Sequence, residues 1–403
     1  MYVLLFLSLY FEVFLLVSFV ENGRNRRGNI VAGSGVADLP TVAIVVPCYN
    51  EETSIKTTLS SLAALEYPRG KLEVIVVDDG SSDDTLAVAR SFSEHTNIRV
   101  FHKANGGKHT AMNFALEHTE AELIGCLDAD SVVDANALLE IVPVFAHARI
   151  AAATPGIHVR EPHTLLQHMQ NVEYHLSIFN RFTSALLGSI FITPGPFSFF
   201  RTSVVRELGG WRHGHSTEDM EMALRIQAAG HLIANVPRAV VHTTTPRTLG
   251  GLYHQRVRWT YGWLRNAVDY RFMVGNRAYG NLGIIMLPTA LLSIATGIYF
   301  FVRTAWYAGQ SLIHEIVRVQ VTGGIAHPSF DAFYLNTSVF WLLTLMGLAL
   351  ILVLISAGTF IGTGRRVPPA STPVFLLLYS FIAPIWLCAA LVRATFRTGV
   401  RWR

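Results

Sequence analysis

The chain has 403 residues, enough for two or three domains, yet only 15% of them are charged, 51% are hydrophobic and the mean hydropathy is +0.37. Soluble domains carry about a quarter charged residues, so the composition argues against an ordinary soluble enzyme. The net charge of +4 is unevenly placed, because residues 1–270 hold 22 basic and 26 acidic side chains while residues 271–403 hold 10 and 2.

The basic residues of the second part flank long apolar runs instead of forming a dense stripe between polar loops, which favours a lipid bilayer over nucleic acid as partner. Cys48, Cys126 and Cys388 lie far apart and form no C-x-x-C pair, and the 16 histidines show no H-E-x-x-H spacing. Neither a disulfide framework nor a zinc site is read from them.

Residues 1–20 (MYVLLFLSLYFEVFLLVSFV) form an apolar run broken only by Glu12, and about 20 such residues span a hydrocarbon core. Positive charge follows this run, at Arg24, Arg26 and Arg27, where a signal peptide carries it in front. The expectation is an uncleaved transmembrane helix over 1–20 with its N-terminus outside, then a cytoplasmic linker over 21–40.

From Thr41 the pattern changes to short β-branched runs alternating with amphipathic segments. Strands are predicted at 42–46, 72–77, 98–101 and 123–127, and helices from Ile55 through Leu62, at 83–94 and at 107–118. This order predicts an α/β fold, a mostly parallel sheet with helices on both faces, whose ligands sit beyond the strand C-terminal ends. PCYNEE (47–52), DDGSSDD (78–84) and DAD (128–130) fall at those ends. No G-x-G-x-x-G follows a strand, which argues against a dinucleotide site. Gly106-Gly107 reads as a turn.

Asp128 and Asp130 are hard oxygen ligands of the kind that suit Mg²⁺ or Mn²⁺, though Asp is also common in strand-ending turns. Asp78 and Asp79 share that ambiguity, with Ser81 or Ser82 available to cap the next helix. Ser216-Thr217-Glu218-Asp219 opens a helix at 219–229, where Ser216 or Thr217 is a natural cap and a carboxylate facing the crevice could accept a proton. In Gln255-Arg256-Val257-Arg258-Trp259, guanidinium groups suit a diphosphate and an indole suits a sugar ring; the same residues also suit a basic helix at the membrane surface.

Apolar runs at 282–302, 333–361 and 372–392 complete a C-terminal membrane region over 276–403, with a catalytic domain over 41–275 before it. Three full crossings would leave the C-terminal arginines, Arg393, Arg397, Arg401 and Arg403, outside. One run is therefore expected to be re-entrant or interfacial, or a further crossing to lie within 303–332.

In order, PCYNEE, DDGSSD, NGGKHTAMN, DAD, TED and QRVRW, followed by apolar spans, resemble the processive family-2 glycosyltransferases, the synthases of hyaluronan, cellulose, chitin and poly-N-acetylglucosamine. The resemblance implies a GT-A-like, Rossmann-related nucleotide-sugar-binding fold. It implies Tyr49, Glu51, Asp78 or Asp79, and Lys108 at the uridine of a UDP-sugar. Asp128 and Asp130 would hold Mg²⁺ or Mn²⁺ on the diphosphate, and Asp219 would be the general base. Gln255, Arg256, Arg258 and Trp259 would lie over the diphosphate and the acceptor sugar. Residues 192–201 take the place of the acceptor-facing loop, with a sequence that departs from the family's familiar forms. The activity implied is inverting transfer of a sugar, N-acetylglucosamine first among candidates, from a UDP donor to a growing β-linked polysaccharide acceptor. Export through a multi-pass cell membrane protein, with its catalytic domain cytoplasmic, would accompany it, and an accessory export subunit is a further partner to consider. Transfer of a single sugar to a membrane lipid shares most of these motifs and stays open, as does a catalytically silent scaffold.

Overall fold

A run of apolar residues without polar alternation can be a strand only if both its faces are covered. Strand β1 (Val42–Cys48) meets that condition, sending Val42, Ile44, Val46 and Cys48 into one buried cluster and Ala43 and Val45 into another on the opposite face. The computed structural model describes residues 1–26, 39–94, 97–324 and 338–398. Helix α1 (Tyr2–Arg26) precedes the strand, and Arg27, Arg401, Arg403, linker residues 27–38 and the start of the 333–361 run lie outside the described residues.

The expected elements follow as α2 (Ile55–Ala63), β2 (Leu72–Asp78), α3 (Thr85–Arg90), β3 (Ile98–His102), α4 (Lys108–Glu117) and β4 (Leu123–Cys126). Helix α2 buries Ile55, Leu59 and Leu62 against one face of the sheet, and α4 buries Ala111, Met112 and Ala115 against the other. Beyond them come β5 (Ser131–Val133), α5 (Ala137–Ile141), β6 (Ile150–Val159), α6 (Leu165–Leu186), β7 (Ser198–Arg201) and α7 (Thr202–Glu207). Helix α8 (Glu218–Ala228), strand β8 (Leu232–Thr243) and helix α9 (Leu249–Asp269) close the globular part.

The sheet has the order β3-β2-β1-β4-β7-β6-β8-β5. Its first four strands are mutually parallel, β7 is antiparallel to both β4 and β6, β8 is parallel to β6, and β5 is antiparallel to β8. The mostly parallel sheet expected from the sequence is thus a mixed one, parallel in the half that carries the first motifs. The reversal has a local cause. Ser198 pairs with Cys126, the last residue of β4, so the chain re-enters the sheet from the ligand edge and needs no crossover helix.

Among the described residues, four helices are long and apolar enough to cross a membrane: Tyr2–Asn22, Leu282–Thr322, Val339–Thr363 and Thr372–Phe396. The last three contain α10 (Leu287–Thr322), α11 (Val339–Thr363) and α12 (Thr372–Phe396). Residues 303–322, where a separate crossing was one expectation, continue α10. Its 36 residues rise about 54 Å, against roughly 30 Å of hydrocarbon.

The membrane helices meet the globular part through α6, which packs on α11, and α9, which packs on α12. The first contact is close because Gly358 has no side chain: a Cβ there would overlap the carbonyl of His175. One turn on, a Cβ at Gly362 would stand 3.0 Å from His158 Cε1. Thr359 between them bonds its own helix at Ile355 and meets His175 Nδ1 at 3.1 Å. Gly358→Ala should therefore force α11 off α6 and destabilise the protein by about 1–3 kcal/mol, the scale of overpacking. Thermal unfolding in detergent should show a midpoint lowered by several degrees, and unchanged melting would show that the two helices do not depend on this contact.

Candidate active site

Strands β1, β2 and β4 run parallel and end at one edge, so Tyr49, Asp78, Asp79, Asp128 and Asp130 gather there. The first two loops are stitched together. Asn50, in a left-handed conformation at φ 55°, accepts from Ser82 N at 2.8 Å and donates its own N–H to Ser81 Oγ at 2.9 Å. Glu51 N donates to Thr85 Oγ1 at 2.7 Å, and the Glu51 carboxylate accepts from Ser54 Oγ at 2.7 Å. Ser81 and Ser82 are committed to Asn50, so neither caps α3, whose N-cap is Asp84. Tyr49 is exposed at this edge.

Asp78 and Asp79 differ. Asp78 is fully buried and meets His102 Nδ1 at 2.6 Å. Asp79 accepts from Gly106 N at 3.1 Å, from Gly107 N at 2.7 Å and from Lys103 Nζ at 2.5 Å. It thereby fixes the turn into α4, where Gly107 takes φ 87°. Lys103 joins the site from a position the sequence reading passed over; only its place before the glycine pair could have marked it.

Helix α4 begins at Lys108, whose ammonium bridges two acidic segments: Asp128 Oδ1 at 2.5 Å and Glu218 Oε1 at 3.6 Å. Burial disfavours its charge, yet Asp128 above all, with Glu218, holds it well above the ordinary lysine value. Asp130 accepts from Ser131 Oγ at 3.1 Å and Thr244 Oγ1 at 2.9 Å. Burial first, and then the charge of Asp128, push it up to about 6. Two carboxylates crowded at a desolvated edge are a donor set that fits a hard divalent cation whose remaining ligands are phosphate and water. Among the described residues no cluster of three or more His, Cys, Asp or Glu side chains could hold a metal without such outside ligands.

The acidic residues of α8 complete the cleft. It is lined by Lys108, Cys126, Thr193, Gly195, Glu218 and Asp219 among others. Residues 192–197 lie across it: Thr193 Oγ1 donates to the Asp219 carbonyl at 2.7 Å, and a Cβ on Gly195 would collide with Lys108 Nζ and Asp128. Asp219 is half-buried, accepts from Met220 N at 2.8 Å, and is pushed up to about 6, first by burial and then by Glu218, against Lys108 and Arg258. Thr217 is the N-cap residue of α8 but makes no side-chain cap; its hydroxyl bonds Gly214 O at 2.8 Å and Asn266 Nδ2 at 2.9 Å. Ser216 makes no cap either.

The QRVRW segment lies on α9 and divides. Arg258 Nη1 donates to Ser216 O at 3.1 Å, beside Asp219. Arg256, buried, pairs with Glu173 of α6 at 2.7 Å and lies 4.4 Å over the Trp259 ring. Gln255 and Trp259 are half-buried, and Gln255 Oε1 has no hydrogen-bond partner among the described residues. The structure thus brings Lys108, Asp128, Glu218, Asp219 and Arg258 together and turns Arg256 towards α6 and α12.

The family description "Glycosyltransferase like family 2" matches residues 40–262, and the chain belongs to that family. Poly-beta-1,6-N-acetyl-D-glucosamine synthase of Staphylococcus epidermidis is 30% identical over 262 residues, which is 64% of this chain and 63% of that relative. The synthase of the same name from Staphylococcus aureus strain COL is 31% identical over 265 residues, again 64% and 63%. The match thus spans less than two thirds of these relatives' length. The fold is GT-A-like: a mannosyltransferase from Pyrobaculum calidifontis, solved in complex with GDP-Man and Mn²⁺, superposes with a TM-score of 0.59 at 19% identity, covering 97% of this chain and 99% of that one.

Proposed function

We propose that this protein is an inverting glycosyltransferase that moves a sugar, N-acetylglucosamine first, from a UDP donor onto a growing β-linked polysaccharide. The observation that carries the reading is the meeting of Lys108, Asp128, Glu218 and Asp219 in one cleft at the strand ends. The relatives named poly-beta-1,6-N-acetyl-D-glucosamine synthase support the choice of polymer. Residues 41–275 are the catalytic domain in this reading, and the first span with residues 276–403 is the membrane part. The arginines after the first apolar run favour a cytoplasmic catalytic domain in the cell membrane. The partners in this reading are the polysaccharide acceptor, the lipid bilayer and an accessory export subunit.

The chemistry follows from the residues. Asp219 accepts the proton of the acceptor hydroxyl as that oxygen attacks the anomeric carbon in line with the departing UDP. Arg258, next to the base, faces the charge that develops on the diphosphate, and its fixed position makes the stabilisation effective. Tyr49, Glu51, Asp78 and Asp79 border the nucleoside end, where Asp79 keeps the turn before Lys108 rigid. Asp128 and Asp130 would hold Mg²⁺ or Mn²⁺, which when bound supplies Lewis-acid stabilisation of the diphosphate. Gln255 and Trp259 border the acceptor.

Asp219→Asn should leave donor binding nearly intact while transfer falls by about 10²-fold or more, the scale of a general base. A base works when deprotonated. With Asp219 raised to about 6, transfer by the unaltered protein should rise with pH through that value and level off above it. Unchanged turnover in the variant, or no acidic limb in the unaltered protein, would remove Asp219 from the mechanism.

Asp130→Ala should abolish UDP binding that depends on Mg²⁺ or Mn²⁺, measured by calorimetry. Full transfer in excess EDTA would overturn the assignment of the two carboxylates. Trp259→Ala should keep donor binding and some transfer to water yet lose long polymer, because a stacked ring holds a sugar without fixing its hydrogen-bond register. UDP release measured beside product length is the check, and long polymer at normal yield would show that the indole serves packing with Arg256 only.

A further inference from the structure

The backbone leading to Asp219 is held where side chains rarely go. Gly214, His215 and Ser216 take φ of 53°, 55° and 67°, three successive left-handed residues of which two are not glycine. Non-glycine residues persist in that region only where their surroundings hold them there.

What holds them is one face of α9, at positions 258, 262, 266 and 269, spaced by three or four residues. Asn266, only 1% exposed, donates from Nδ2 to the carbonyl of Gly214 at 3.0 Å and to Thr217 Oγ1 at 2.9 Å. Arg258 takes the carbonyl of Ser216, and His215 Nε2 meets Asp269 Oδ2 at 2.7 Å. Gly262 leaves the room that Thr217 fills, since a Cβ there would overlap the threonine side chain. On the far side, Tyr270 donates to Glu221 Oε1 at 2.7 Å, tying the end of α9 to the first turns of α8.

We infer that Asn266, with Gly262, is a positioning residue for the reaction, acting through residues 214–217 to set where the Asp219 carboxylate stands. The inference rests on Asp219 as the base. Asn266 is not among the residues lining the cleft; it bonds Gly214 and Thr217, the two ends of the turn that leads into α8. Its amide matters because Thr217, freed from capping α8, is oriented by its hydrogen bonds to Asn266 and Gly214. No motif in the sequence marks position 266, seven residues beyond the QRVRW segment.

The test uses the full-length protein in lipid nanodiscs, with UDP release followed as donor concentration is varied. Asn266→Ala should lower kcat by about 10²-fold, the cost of a misplaced reacting group, with KM for the donor essentially unchanged. Amide hydrogen exchange at residues 214–217 should quicken. Adding Ser216→Gly should restore much of kcat, because glycine takes the left-handed conformation without a Cβ penalty and needs less clamping. A wild-type kcat in Asn266→Ala, or a loss of kcat with unchanged exchange and no recovery by Ser216→Gly, would overturn the inference. Should Asn266→Ala fail to fold, Gly262→Ala displaces Thr217 from one turn earlier on the same face of α9 and should give the same split between kcat and KM; wild-type kcat there would equally count against it. If exchange quickens while Asp219→Asn keeps full turnover, the clamp stands and the assignment of the base is what fails.

Discussion

The buried guanidinium of Arg256, paired at 2.7 Å with the half-buried carboxylate of Glu173, ties α9 to α6, and the rest of the cleft depends on where α9 lies. Removing the carboxylate would be far more disruptive than never having had the pair, because it would leave the buried guanidinium of Arg256 uncompensated. Tyr379 of α12 also donates to Glu173, so the pair joins the globular part to a membrane helix. On another face the same helix carries Arg258 and Asn266 against the loop that precedes Asp219. Helix α9 thus connects α12 with the loop that precedes Asp219.

The cleft itself is an exercise in balancing negative charge. Asp128, Glu218 and Asp219 gather around Lys108 in a partly desolvated space, with Asp130 beside Asp128, and Lys108 is a cation placed between two of the acidic segments. Burial and like charge raise Asp130 and Asp219, whereas Lys108 is held charged by Asp128. A site built this way favours an incoming cation at one end and leaves a carboxylate of raised basicity at the other. That division suits a reaction in which one end stabilises a leaving diphosphate and the other takes up a proton.

Strands β1 to β4 and their helices are legible in the sequence because each is covered on both faces or amphipathic at a clear period, and the polar motifs fall directly at their ends. The second half of the sheet is not. Strand β6 contains Pro155 and Gly156, residues that read as a turn, and its pairing with β8 shifts register just there because Gly156 makes room for the carbonyl of Pro237. Helix α6 opens with a capping box, Thr164 with Gln167, that was open to reading. The hydroxyls at 81, 82 and 217 sit where caps belong, and tertiary partners take them instead. Arg256 and Arg258 are two residues apart in one motif, and only the packing of α9 shows that they face opposite directions.

The most direct measurement of the central claim is the product formed when the full-length protein in nanodiscs is given single UDP-sugars with Mg²⁺ or Mn²⁺. The account predicts release of UDP with UDP-N-acetylglucosamine and a β-linked polymer that a linkage-specific hydrolase degrades, both lost on substitution of Asp219. No UDP release with any donor, or a lipid bearing one sugar as the sole product, would contradict it.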